Sequence, residues 1–284
     1  MKTYNDIYLE TRNALRASGI EGYTLEARLL VATAAGKSVA ELLRDINLYT
    51  TAAIDAEVQE LTRRRLAGEP VAYITGAWEF YGLPMKVTPD VLIPRMDTEL
   101  LVTTAKELLL GRKMDARILD LCCGNGCIAC ALGHELPATK LVAVDISANA
   151  LEIARENFPS NRLGSRAICI QADATSSPPM SIGQFDMIVS NPPYIASAEI
   201  MTLDASVRDY EPIWALDGGE DGYRFYKAII KYWKSLLRPG GFLLFEVGEG
   251  QAATVKDMLS SAGFRAVGSR LVTLYIVRVV IGKM

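Results

Sequence analysis

Asn191-Pro192-Pro193-Tyr194 closes an apolar run of strand length, Phe185 to Ser190. Each residue ahead of a proline is pushed out of the helical region, and each proline fixes its own φ and brings no N–H. The carbonyls of Asn191 and Pro192 therefore sit in a stiff loop with few local backbone donors to compete for them. Asn191 adds a side-chain carbonyl, and Tyr194 adds a flat aromatic face. Two acceptors and a ring at the end of a buried strand can grip a planar –NH2 group. The bland alternative is a proline-rich turn that merely ends the strand.

A second group of residues lies upstream. A strand predicted over Arg117–Leu121 runs into Asp120-Leu-Cys122-Cys123-Gly124-Asn125-Gly126, and a helix follows. Glycines at such a turn let a ligand approach the backbone, and the helix start presents free N–H groups. The lysine of a phosphate-binding loop is absent, so a G-x-G here is a weak signal alone. A second strand, Leu141–Ile146, carries Asp145 at its end, about twenty residues on, where a carboxylate can accept both hydroxyls of a ribose. A third, Ala167–Asp173, ends in Asp173, a candidate acceptor for an adenine amino group. Any one of these acids could simply cap a helix. Three at adjacent strand ends suit a nucleoside with a polar amino-acid tail, seated where the sheet reverses its order.

The elements that must carry these residues alternate. After the strand over Phe185–Ser190, Arg238–Gly241 turns into a fifth strand, Phe242–Val247, and a helix follows near 250–262. Ala266–Leu271 and Leu274–Ile281 lie too close for a crossover helix and should pair antiparallel at the sheet's end. The expected fold class is α/β: a doubly wound, mostly parallel sheet with an antiparallel strand at the end. Residues 1–75 read as a small helical bundle, 76–94 as a β-hairpin linker, and 95–284 as the sheet domain. Asp97 or Thr98 is the expected cap of a helix beginning near Glu99. The Arg63-Arg64-Arg65 run reads as a solvated helix face in preference to a nucleic-acid patch.

Composition narrows the function. A net charge of −3 and a pI near 5.4 leave no basic footprint for bulk nucleic-acid binding. No apolar run reaches membrane-spanning length, and Met1-Lys-Thr-Tyr-Asn-Asp6 leads into polar residues, so a cytosolic location is expected. Four of the five cysteines fall between Cys122 and Cys130. Cys127 and Cys130 have a zinc-like spacing, but no second ligand pair accompanies them, so no metal is expected and the thiols read as small packing groups.

Asp120-x-x-x-Gly124-x-Gly126, Asp145 and Asn191-Pro-Pro-Tyr194 resemble the class I S-adenosylmethionine-dependent methyltransferases that act on –NH2 nitrogens. Pro70–Gly76, Leu92–Glu99 and Glu211–Gly222 narrow the resemblance to the peptide chain release factor glutamine methyltransferases, the PrmC/HemK family. It covers about residues 60 to 250, with a helical domain in the expected place before it. The resemblance implies methyl transfer from S-adenosylmethionine to the glutamine amide of a Gly-Gly-Gln motif in a release factor. Asn191 and the Pro192 carbonyl would accept the two amide N–H bonds, Tyr194 would pack on the amide plane, and Pro193 would complete the substrate site. The cofactor would contact Asp120, Cys122, Cys123, Gly124, Asn125, Gly126, Asp145, Asp173, Ala174 and Asn191. The partner would be a release factor, with no direct nucleic-acid or membrane contact and a monomeric chain. The competing readings are an amino methyltransferase of adenine or cytosine and a non-catalytic module that keeps the fold. The family usually has glycine at Cys122 and proline at Met96, and the connection over Leu271–Tyr275 also departs from it. The cysteine is expected either to crowd the cofactor or to shift the backbone.

Overall fold

The computed structural model describes residues 1–111, 113, 115–271 and 276–284, and it divides into two units. The smaller comprises Met1–Ala77 together with Asp204–Tyr210. Its helices are α1 (Tyr4–Ala17), α2 (Tyr23–Ala34), α3 (Val39–Arg44), α4 (Ala52–Leu66) and α5 (Val71–Thr75). Capping boxes fix two of the starts: Thr3 exchanges hydrogen bonds with Asp6, and Ser38 with Glu41. Ile7, Leu15, Leu30, Val31, Leu42 and Val58 meet in the bundle interior. The arginine run on α4 is ion-paired throughout: Arg63 with Glu60, Arg64 with Glu69, and the largely buried Arg65 with Glu26 on α2. The run is therefore less solvated than its sequence suggests.

The larger unit, Trp78–Leu203 and Glu211–Met284, is built on a sheet. A hairpin of β1 (Ala77–Phe80) and β2 (Leu83–Lys86) precedes it. The sheet contains β3 (Arg117–Leu121), β4 (Lys140–Asp145), β5 (Ala167–Gln171), β6 (Phe185–Ser190), β7 (Leu237–Glu246), β8 (Ala266–Leu271) and β9 (Val277–Lys283). Their order is β5-β4-β3-β6-β7-β9-β8, parallel except for β9, which runs antiparallel to both of its neighbours. The expected mostly parallel sheet with an antiparallel end is what the chain forms. The expected start of the last strand at Leu274, and the connection over 272–275, lie outside the described residues.

Alternation along the strands splits the core into two layers. Ile118, Leu141, Met187 and Leu244 point to one face, covered by α6 (Glu99–Leu109), α7 (Cys127–Glu135) and α8 (Ala148–Ser160). Leu119, Val142, Ile188 and Leu243 point to the other, beneath α10 (Arg224–Tyr232) and α11 (Ala252–Ser261); the short α9 (Ala205–Arg208) belongs to the smaller unit. Cys127 and Cys130 sit in the first layer, where burial pushes both thiols up and keeps them neutral. One carboxylate ties the lower edge. Asp186 accepts from the Arg117 N–H at 2.8 Å and from the Arg238 guanidinium at 2.6 Å, joining β3, β6 and β7.

Three details differ from the sequence reading. β7 starts at Leu237, five residues early, because Arg238–Gly241 is taken up as a bulge against β6. β5 ends at Gln171, so Asp173 lies in the turn beyond it. Neither Asp97 nor Thr98 caps α6 with its side chain. Thr98 is helical and buried, and Asp97 instead accepts from Arg278 of β9 at 2.9 Å.

Candidate active site

The strand order reverses between β3 and β6, and a cavity of about 370 Å³ opens above the carboxyl ends of β3, β4 and β6. The turn after β3 forms one wall. Cys122 has φ +62, a backbone conformation that favours glycine, so the chain keeps the glycine-type turn and carries a side chain in it. Cys123 N–H donates to the Val144 carbonyl of β4, and Gly124 N–H donates to Asp145 Oδ2 at 2.9 Å. Gly126 turns into α7 at φ +76, and a Cβ there would stand 2.7 Å from the Phe158 ring of α8. Only glycine closes that turn.

Asp145 is held at both oxygens, since Oδ1 accepts from Ser147 N–H at 2.9 Å. Burial raises its carboxyl above the ordinary value even so. Asp173 is opposite in character. Burial acts to raise it, but hydrogen bonds from Thr175 and Ser176 outweigh that and hold it below the usual carboxylate range. Both acids line the cavity, as do Cys122, Cys123, Gly124 and Asn125, with Ala174 beside Asp173. Asp120 and Gly126 do not. Asp120 is fully buried behind the turn, and its Oδ2 accepts from Ala129 N–H of α7 at 3.1 Å. Burial pushes it up to about 7. Its work is to fasten α7 to β3.

The Asn191–Tyr194 loop forms the facing wall through Asn191 and Pro193; Pro192 and the Tyr194 ring lie outside the lining. Tyr194 packs into the second core layer, and burial raises its phenol to about 12. The loop is clamped from behind. Gln251 Nε2 donates to the Tyr194 carbonyl at 2.9 Å, and Ile195 exchanges hydrogen bonds with Leu216 and Gly218. A Cβ on Gly218 would stand 2.8 Å from Tyr194 backbone, so the Ala215–Gly222 segment can lie this close only as glycine. Asn191 Nδ2 donates to Thr98 Oγ1 at 3.2 Å.

Sequence reasoning about site residues missed the third wall. Val91, Leu92, Pro94 and Arg95 line the cavity ahead of α6, and Ile213, Trp214 and Phe225 line it from the other side. Arg95 pairs with Glu211, which is almost wholly buried and raised by that burial. These segments were visible only as flanks of the resemblance, because apolar lining residues look like core.

The comparisons with known proteins bear on this arrangement. A family model described as PrmC N-terminal domain matches residues 6–76, and one described as Methyltransferase small domain matches residues 96–206. A release factor glutamine methyltransferase of Bradyrhizobium diazoefficiens is 42% identical over 87% of this chain and 83% of its own length. The chain belongs to the release factor glutamine methyltransferase family. A Geobacter sulfurreducens member is 41% identical over 89% of this chain and 87% of its own. Among solved structures, the hMettl16 catalytic domain in complex with MAT2A 3'UTR hairpin 6 is similar in fold, with a TM-score of 0.59. At 18% identity over 78% of this chain and 81% of that one, it speaks for the fold alone. Family membership fits a cavity with one wall of acids and glycines and another of proline-stiffened acceptors. Among the described residues no helix is long and apolar enough to cross a membrane.

Proposed function

We infer that this chain methylates the side-chain amide nitrogen of the glutamine in the Gly-Gly-Gln motif of release factors, in the cytoplasm. The observation that carries the reading is that Asn191 and Pro193 share one cavity with Cys122–Asn125, Asp145 and Asp173. The donor set suits S-adenosylmethionine, whose ribose hydroxyls and adenine amino group call for acceptors and whose amino-acid tail calls for backbone N–H groups. Asp145 would hold the ribose, Asp173 with Ala174 the adenine side, and the Cys122–Asn125 turn the amino-acid tail. Bound there, the cofactor supplies a sulfonium methyl group.

The protein's own part is positioning. An amide nitrogen is a poor nucleophile because its lone pair is delocalised. Asn191 Oδ1, on the cavity wall, accepts an amide N–H, which aims the nitrogen and stabilises the positive charge that develops on it; the second acceptor expected at Pro192 lies outside the lining. Tyr194 braces the loop from the core, and the apolar wall at Ile213 and Trp214 excludes water. The helical unit serves to recognise the release factor's surface.

Mass spectrometry of a release factor incubated with this protein and S-adenosylmethionine tests the reading. The expected product gains one methyl on the Gly-Gly-Gln glutamine. Methylated adenine or cytosine in added nucleic acid, with an unmodified release factor, would move the acceptor to nucleic acid.

A further inference from the structure

Asn191 can serve an –NH2 acceptor only if its carboxamide is turned with the oxygen toward the cavity. The two ends of a carboxamide are nearly equal in size, so packing alone does not choose between them. Turned the other way, the side chain would oppose its own NH2 to that of the substrate. Something must set the direction.

Glu246, outside the cavity lining, ends β7 one residue beyond the Ser190–Phe245 pair, as Asn191 follows β6. It is 2% exposed, and among the described residues its Oε2 has no hydrogen-bond partner. The side chains of Thr98 and Asn191 both face this carboxyl and favour its charged form. Thr98 is also 2% exposed. Its hydroxyl has a single hydrogen, and its oxygen already accepts from Asn191 Nδ2 at 3.2 Å. That hydrogen is therefore free for Glu246, which as a carboxylate can only accept. Given to Glu246, that hydrogen would make the polarity run one way, from the Asn191 NH2 to the Thr98 hydroxyl to the Glu246 carboxylate.

We propose that Thr98 and Glu246 are positioning residues that set the orientation of the Asn191 carboxamide, holding its oxygen toward the acceptor nitrogen. Among the described residues no cation forms an ion pair with Glu246. Arg278 of β9 lies near it but gives its Nε to Asp97. The remaining polar neighbours that act on it are Asp97, Tyr194 and Tyr226, none of which reverses the relay. Protonation of Glu246 would. A neutral carboxyl can donate to Thr98, whose hydrogen then turns to Asn191 and removes the preference for one orientation. Burial, opposed by Thr98 and Arg278, pushes Glu246 up to about 7, so the relay is complete above that pH and fails below it.

The inference rests on the assignment of Asn191 to the acceptor amide, and the test separates the two. Single-turnover methylation of a release factor is measured in wild type, Glu246→Leu, Glu246→Gln, Thr98→Val, Thr98→Ser and Asn191→Ala, with the dissociation constant of S-adenosylmethionine alongside. Glu246→Leu and Thr98→Val are expected to slow transfer about ten- to a hundredfold with cofactor affinity within about threefold of wild type. Thr98→Ser should restore most of the rate. Wild type should lose rate as pH falls through about 7, and Glu246→Gln should lack that dependence. Full activity of Glu246→Leu beside an inactive Asn191→Ala would overturn the relay and leave the role of Asn191 standing. A loss that tracks weakened cofactor binding, or that Thr98→Ser does not restore, would make the pair merely structural and also overturn it. An active Asn191→Ala would remove both readings.

Discussion

Cys122 carries a β-carbon in a turn that glycine would enter without cost. A left-handed backbone costs a non-glycine residue about 1–2 kcal/mol, and glycine's extra freedom in the unfolded chain returns part of that. Cys122→Gly should therefore raise the unfolding free energy by roughly 1 kcal/mol in urea denaturation. Cys122→Ala keeps the strain and loses the sulfur's contact with Ser190, so it should not stabilise. Asp145 presents the reverse case, a residue whose removal costs more than one contact. Its two oxygens hold Gly124 and Ser147 as well as any ribose, so Asp145→Ala loosens the turn and empties the acceptor site together. Cofactor affinity should fall by about 2–3 kcal/mol, read by titration calorimetry, while the circular dichroism of the fold is retained.

Asn157 of α8 is a buried side chain that fastens the hairpin, beside the exposed Lys86–Glu156 pair and Asn161 at the helix end. Asn157 is 2% exposed; its Oδ1 accepts from Lys86 N–H at 2.7 Å, and its Nδ2 donates to the carbonyls of Lys86 and Asn125. Asn157→Ala takes the side-chain partner from the Lys86 N–H and the Asn125 carbonyl, leaving the Lys86 carbonyl only Asn125 Nδ2, and should cost about 2–3 kcal/mol of stability, with hairpin amides exchanging faster than those of β3. Nothing in the sequence marked Asn157, since a lone asparagine on an amphipathic helix reads as solvent-facing. The strands were legible for the opposite reason. β3, β4 and β6 are short apolar runs ending in acids or Asn-Pro, and burial on both faces leaves them little else to be. The glycine turn, Asp145 and the proline-stiffened loop were legible because their chemistry is local. The pairing of Thr98 with Asn191, 93 residues apart, was not, and Thr98 was read as a helix cap. Arg238–Gly241 was read as a turn because proline and two glycines say nothing of the bulge that absorbs them.

Across the whole molecule, two buried carboxyls dominate the response to pH. Asp120 and Glu246 both stand near 7 in the folded state, against ordinary values of 3.8 and 4.5. A carboxyl raised by folding binds a proton that the unfolded chain has already released. Its contribution to stability is complete below the ordinary value and is lost as pH rises to about 7. Surface acids such as Asp6, Glu41 and Asp45 are lowered, so their contributions change only under more acidic conditions. Without cofactor, stability should therefore decline on the order of 5 kcal/mol between about pH 5 and about pH 8. Urea midpoints across that range are the measurement, and the double variant Asp120→Asn, Glu246→Gln should flatten the curve. The sheet order has a kinetic consequence of its own. β8 precedes β9 in the chain, yet it lies outside β9 and, among the described residues, bonds to no other strand. During folding β8 has nothing to add to until residues 277–283 have come back across it and docked on β7. The two cannot join the sheet one after the other in chain order; β8 enters only together with β9 or after it.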